Sequence, residues 1–157
     1  MGVRARYDER VAGGALTGDV AQAAAADRLD ALAATLANPP KKTLFGKAPD
    51  APRGLYLWGG VGRGKSMLMD LFFSAAAVAP KRRVHFHEFM AEVHERLDVW
   101  RRMSDSERKR SPWHVRGAGD DPIAPVAKQV ATEAKLLCFD EFQVTQIADA
   151  MILGRLF

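Results

Sequence analysis

Eight consecutive residues carry the clearest chemistry in the chain: Gly59, Gly60, Val61, Gly62, Arg63, Gly64, Lys65 and Ser66. They fit the pattern G-x-x-x-x-G-K-[ST] at every fixed position. Such a run wraps phosphate. Its glycines let the backbone bend until several N–H groups converge on the phosphate oxygens. If a helix follows, its N-terminus adds roughly half a positive charge at the same place. Lys65 would reach the outer phosphates, and the Ser66 hydroxyl would hold Mg²⁺. A glycine-rich turn could match this pattern by chance, so the flanking elements decide its meaning.

A second pair of residues completes the chemistry. Leu136-Leu137-Cys138-Phe139 is an unbroken apolar run that ends in Asp140-Glu141. This is the Walker B arrangement. Asp140 would hold Mg²⁺ through its water shell alongside Ser66. Glu141 would polarise the water that attacks the γ-phosphate, because water is a weak nucleophile without a base. An apolar run followed by Asp-Glu is common by chance. Downstream of Lys65, with a strand and a helix between, it points to hydrolysis of a nucleoside triphosphate.

The elements that must position these residues can be read from periodicity. Gly54-Leu55-Tyr56-Leu57-Trp58 reads as a buried strand before the loop, and Met67 onward as a helix to about Ala77. Arg83-Val84-His85-Phe86-His87 alternates as a second strand. Phe89, Met90, Val93, Leu97 and Trp100 then share a helical face. Glu92–Arg96 and Asp98–Arg102 stand i,i+4 on its outer side. Asp121-Pro122 supplies an N-cap and first-turn pair for a short helix through Val126 and Val130. Leu136–Asp140 follows as a strand buried on both faces, the mark of a parallel sheet. The pattern turns helical again from Ala148. Upstream, residues 1–16 read as a loosely held arm. Asp19 then caps a helix from about Val20 to Ala37, with Leu29, Leu32 and Leu36 on one face. Asn38-Pro39-Pro40 stops that helix, and a loop runs from Lys41 to Arg53. The expected domains are an arm and helix over 1–53 and an α/β phosphate-binding domain over 54–157.

The chain has 157 residues, a net charge of +4, 48% hydrophobic and 27% charged residues. These values suit one globular domain with a real core. A single cysteine, Cys138, allows no internal disulfide and reads as a small buried hydrophobe. No apolar stretch approaches the ~20 residues of a membrane span. His85, His87, Glu88 and His94 invite a metal reading, but packing explains their elements and no further ligand completes a set. These histidines suit the nucleotide cleft or a partner surface equally well. Arg101, Arg102, Arg108, Lys109, Arg110 and Arg116 gather near Trp100 and Trp113, a composition that can bind single-stranded nucleic acid. Interleaved Asp105, Glu107, Asp120 and Asp121 favour a solvated surface instead, and Trp100 fits the core face of its helix.

Taken together, Gly54–Phe73, the run Arg83-Val84-His85-Phe86-His87-Glu88-Phe89-Met90 with Val93-His94, and Leu137–Thr145 resemble the ZapE family, AFG-one-like ATPases of the AAA+ class. Asp121-Pro122-Ile123 and Ile147–Leu153 match the same family, while Gln146 departs from its frequent Asp. The resemblance implies an α/β P-loop NTPase of the AAA+ type, a parallel sheet flanked by helices and incomplete on its C-terminal side. It implies ATP and Mg²⁺ as cofactors, with Lys65 and Ser66 on the nucleotide and Asp140 and Glu141 as Walker B. It further implies a bacterial cytoplasmic ATPase, peripheral at the division site, that acts on the division-ring tubulin homologue and forms oligomers at full length. The alternatives are a helicase-loader-like ATPase on nucleic acid and a non-catalytic nucleotide-binding fragment. In such a fold the strand with the first sensor residue lies between the cradle strand and the Walker B strand. Because that strand follows Walker B in sequence, 54–58 and 136–140 are not expected to pair.

Overall fold

The computed structural model describes residues 1–38 and 52–157 and divides into two compact units, Met1–Val78 and Ala79–Phe157. The Pro39-Pro40 stop and most of the expected loop lie outside the described residues.

The first unit holds three helices, α1 (Val3–Ala12), α2 (Val20–Ala37) and α3 (Lys65–Ala75), each in contact with the other two. The expectation of a loose arm at 1–16 is overturned by α1. Val3 and Tyr7, four apart and therefore on one helical face, are almost fully buried. Gly2, at the N-cap of α1, has no side chain to cap it, and Asp30 of α2 does so instead. Its carboxylate accepts from the backbone N–H of Val3 and, at 2.9 Å, from that of Arg4. A negative group at the positive end of a helix is favourable twice over, as acceptor and as countercharge. The Tyr7 hydroxyl then accepts from Asp19 N–H at 2.9 Å and donates to Asp19 C=O at 3.1 Å, fixing the start of α2. Asp19 caps α2 as expected, accepting from Ala21 N–H at 2.7 Å and Gln22 N–H at 3.0 Å.

The expected strand at 54–58 is not formed. Leu55 is 40%, Tyr56 65% and Trp58 83% exposed. An apolar run becomes a strand only when a neighbouring backbone takes up its N–H and C=O groups. Among the described residues the one sheet has two strands, neither of them here.

In the second unit the order is β1 (Lys81–His85), α4 (Phe86–Arg102), α5 (Asp105–Arg110), α6 (Ile123–Glu133), β2 (Leu136–Asp140) and α7 (Ile147–Leu156). The two strands pair in parallel, with Arg83 opposite Cys138 and His85 opposite Asp140. Parallel strands need a crossover of a dozen residues or more, here supplied by the helices between them. The result is a partial α/β fold. Its core joins Phe86, Phe89, Met90, Val93 and Leu97 of α4 to Ile123, Val126 and Val130 of α6. Val84, Leu137, Phe139 and residues of α7 pack against it. Phe139 meets Phe89 edge-on with ring centres 4.9 Å apart.

Four details depart from the sequence reading. The strand expected at 83–87 ends at His85, because Phe86, Phe89, Met90 and Val93 follow the helical spacing and all four are buried. His85 therefore becomes the N-cap of α4, and His87 lies on the helix rather than beside His85 on a strand. β2 is not buried throughout on both faces: Cys138 is buried and the other four residues of the strand are half-buried, and among the described residues β1 is its one partner strand. The polar excursion contains α5, closed by a reciprocal Ser104–Glu107 capping box. Asp121 acts one step earlier than expected, accepting from Ile123 N–H while Pro122 stands at the N-cap.

Replacing Asp30 with Ala should lower the stability of the first unit by about 1–2 kcal/mol and strip exchange protection from the first turn of α1. Urea unfolding with amide exchange measures both; an unchanged midpoint would show that the contact contributes nothing.

Candidate functional site

The glycine loop is exposed and leads directly into α3. Gly59, Gly62 and Gly64 hold φ values of 142°, 76° and 78°, a region that residues with a Cβ avoid. Gly64 occupies the N-cap of α3 in the left-handed conformation and offers no side chain to the first-turn amides. A helix of 11 residues thus starts with donors that no capping side chain takes up, the arrangement that attracts an anion. Lys65, the first residue of α3, folds back so that its Nζ donates to the carbonyls of Gly59 at 2.9 Å and Gly60 at 2.8 Å. These bonds hold the loop curved around the ammonium. Ser66 is exposed one residue further.

Gln22 of α2 reads in the sequence as the N3 partner of the Asp19 cap, not as a site residue, yet its Nε2 donates to the Arg63 carbonyl at 3.2 Å. A Cβ on Gly64 would stand 3.0 Å from the same Nε2. The N-terminal helix pair is therefore tied to the loop. The sequence signal was Gln22 at the third position of α2, which reads as half of a capping box. The side chain bonds the loop instead.

In the second unit Asp140 ends β2 with its side chain mostly buried, and Arg83 grips it. Arg83 Nε donates to Oδ2 at 2.7 Å and Nη2 to Oδ1 at 3.1 Å. The register explains the grip. Side chains alternate along a strand, so Arg83, His85, Cys138 and Asp140 share the sheet face opposite Val84, Leu137 and Phe139. Arg83 reaches diagonally over two residues to the strand end. Its hydrogen bonds hold the Asp140 carboxyl below the ordinary range, with burial opposing. Burial pushes the Cys138 thiol up to about 11, as befits a small core residue rather than a nucleophile. Glu141, immediately after β2, is exposed and has φ 53°, the one non-glycine residue with positive φ among those described. A left-handed conformation there costs a glutamate about 1–2 kcal/mol, an outlay seen mostly where geometry serves a site.

The oxygen donors of Ser66 and Asp140 are the type that Mg²⁺ takes. Arg83 occupies one lone pair on each Asp140 oxygen and leaves another on each. Each residue, within its own unit, thus offers oxygen of the kind that the metal takes.

Two other candidate groups go elsewhere. His94 Nε2 stands 2.8 Å from Asp149 Oδ1, tying α4 to α7. His85 and His87 have ring centres 5.9 Å apart. Among the described residues no three His, Cys, Asp or Glu side chains form a metal-holding group. Within the basic cluster, Arg108 fastens its own loop. It donates to the carbonyls of Trp100 at 3.1 Å and Arg101 at 2.9 Å. Trp100 is buried in the core, as its spacing predicts. Arg101, not Arg102, pairs with Asp98, while Glu92 and Arg96 approach at 3.6 Å in a wider network with Arg82 and Glu133.

The whole chain, residues 1–157, matches the AFG1-like ATPase family model. The chain belongs to the AFG1-like ATPase family. It is 50% identical over 109 residues to Lactation elevated protein 1 homolog B of Danio rerio, covering 69% of this chain and 21% of that protein. It is 43% identical over 117 residues to Cell division protein ZapE of Escherichia coli K12, covering 72% of this chain and 27% of that protein. The chain thus spans about a quarter of the length of these curated relatives. No solved structure matches it. Membership makes this an AAA+ ATPase family chain, and no described helix is long and apolar enough to cross a membrane.

The Arg83–Asp140 pair sets a pH dependence. Unfolded, the Asp140 carboxyl titrates near 3.8; folded, it titrates lower. A depressed folded value means that the stabilisation is complete above the unfolded value and lost as pH falls through the folded one. The stability gap between the wild type and Asp140→Asn should therefore stay constant from neutrality to about pH 5 and close below it. Urea midpoints across that range measure the gap; one that fails to narrow in acid would show that the pair contributes no pH-dependent stability.

Proposed function

We propose that the chain carries the nucleotide-handling part of a Mg²⁺-dependent ATPase. The observation that carries the reading is the glycine loop, whose left-handed Gly64 opens α3 without a capping side chain beside Lys65. In this reading the backbone of Gly59, Gly60, Val61, Gly62, Arg63 and Gly64 cradles phosphate. The ammonium of Lys65 exchanges the Gly59 and Gly60 carbonyls for phosphate oxygens and neutralises charge on the outer phosphates as it builds up. Ser66 and Asp140 are the residues that would offer oxygen donors to Mg²⁺. When bound, Mg²⁺ withdraws charge from the phosphate oxygens. Glu141 would take a proton from the attacking water; its exposure and its left-handed conformation after β2 support that role.

The match to a protein named for cell division supports a role in a bacterial cytoplasm, acting on a protein partner at the division site. By the family resemblance, the division-ring tubulin homologue is the proposed partner, and an oligomer of the longer protein the proposed working form. The basic cluster near Trp113 gives less support to a nucleic-acid partner, because Arg108 is spent on its own loop.

Binding of a fluorescent ATP analogue with Mg²⁺, and phosphate release by this chain beside a longer version, test the reading. Lys65→Ala should weaken binding on the order of tenfold or more. Glu141→Gln should keep binding and lower turnover roughly 10²–10⁴-fold. Binding that is indifferent to Lys65→Ala would overturn the phosphate-cradle assignment. Equal turnover at both lengths would show that the remaining family sequence is dispensable for chemistry.

A further inference from the structure

A cavity of about 300 Å³ opens between α4, α6 and the chain that follows α5. Val99, Met103, Trp113 and Val126 give it apolar walls. Lys128 donates to the carbonyls of Pro112 and His114, at 2.8 and 3.0 Å, and so pins the backbone on either side of Trp113. Among the described residues, two of the side chains that line the cavity hold N–H donors with no hydrogen-bond partner, the Trp100 indole at Nε1 and Arg96 at Nη1. Both atoms are buried, and Trp100 as a whole is 7% exposed. A buried donor without an acceptor is costly, and native structures rarely leave one. Two of them at one cavity call for an occupant that brings acceptors. Water would answer the donors but leave the apolar walls wet.

Charge narrows the chemistry of that occupant. Arg96 Nη2 donates to Glu133 at 2.9 Å, and Glu95 adds a second carboxylate to the surroundings. An anionic ligand would therefore meet at least as much negative charge as positive, whereas a neutral carbonyl takes the donors without ionic opposition. Volume narrows it further. Ligand cavities span roughly 300–1,000 Å³, so this one has room for a large side chain and the amides beside it. We infer that the cavity is a binding site for an extended peptide segment, which buries an aromatic or branched aliphatic side chain against the apolar walls and brings main-chain carbonyls to Trp100 Nε1 and Arg96 Nη1. A nucleobase also carries carbonyls, but its phosphates need cations, and those around the cavity are engaged. Arg96 is held by Glu133, Arg108 by the carbonyls of Trp100 and Arg101, and Lys128 by those beside Trp113. The site lies within the second unit and does not rest on the nucleotide reading.

The indole N–H groups report occupancy directly in ¹⁵N–¹H NMR spectra, because the chain has three tryptophans, Trp58, Trp100 and Trp113, each assigned by its Trp→Phe variant. The folded chain is titrated with acetyl-Ala-Phe-Ala-amide, acetyl-Ala-Ser-Ala-amide, ethylbenzene and a thymidine oligonucleotide. The Phe peptide should move the Trp100 indole proton downfield, the direction of a new hydrogen bond, and slow its exchange with water. The Ser peptide should bind roughly tenfold or more weakly, for want of an apolar side chain. Trp100→Phe, with folding verified by circular dichroism, should weaken the Phe peptide about three- to tenfold. A Trp100 indole that keeps its position in every titration would show that water alone answers the donor, and the inference is overturned. Ethylbenzene binding as tightly as the Phe peptide overturns it too, because the carbonyls would then contribute nothing. So does an oligonucleotide that moves the Trp100 indole when the peptides do not. The wild-type indole signal decides the matter even if Trp100→Phe fails to fold.

Discussion

Parallel pairing of β1 with β2 is the constraint on which the second unit depends. A parallel ladder satisfies the backbone of both strands only if the chain between them crosses over and returns, and α4 to α6 are that crossover. The pairing also sorts side chains by face. Val84, Leu137 and Phe139 meet the aromatic and aliphatic face of α4, so the core forms on one side. Arg83, His85, Cys138 and Asp140 are left on the other. The charged strand end is thus a by-product of the same alternation that builds the core. A one-residue slip in register would send Asp140 into the Phe cluster and Phe139 out of it.

Around this pairing sits a second layer of fixed charge. Arg82 bonds Glu92 through both guanidinium arms, and Arg96 bonds Glu133 at 2.9 Å, linking β1, α4 and α6 on the core-facing side. Arg82 and Arg83 are adjacent in sequence but lie on opposite faces, one bonded to Glu92 of α4 and the other to Asp140 of β2. Charged pairs this exposed add modest energy, so their larger effect is to select one packing of the helices over its neighbours.

In the first unit the organising contact is different. Asp30 and Tyr7 between them hold the start of α1 and the start of α2, and Gln22 passes that order on to the glycine loop. A phosphate loop is rich in residues that lose much entropy on ordering, so it benefits from a rigid neighbour. The segment that reads as a loosely held arm, which is α1, and the capped helix α2 after it are the neighbour that supplies it.

Local pattern was enough to locate α2, α3, α4 and α6, the face that α4 buries, the cap at Asp19, and the two short runs on which the proposed chemistry rests. These are properties of residues three to seven positions apart, and propensity, capping and periodicity all act over that distance. The sequence by itself also determined the family, because long runs such as Arg83–Met90 and Leu137–Thr145 are specific without reference to any fold. What tertiary structure alone decided were contacts across tens of residues: Asp30 on α1, Gln22 on Arg63, Arg83 on Asp140, His94 on Asp149. Polar side chains choose partners by register and proximity, which no local pattern encodes. The same reason explains the strand misread at 54–58. Leu55, Tyr56 and Leu57 carry strand propensity, but a strand is an agreement between two backbones, and among the described residues this segment joins no strand ladder.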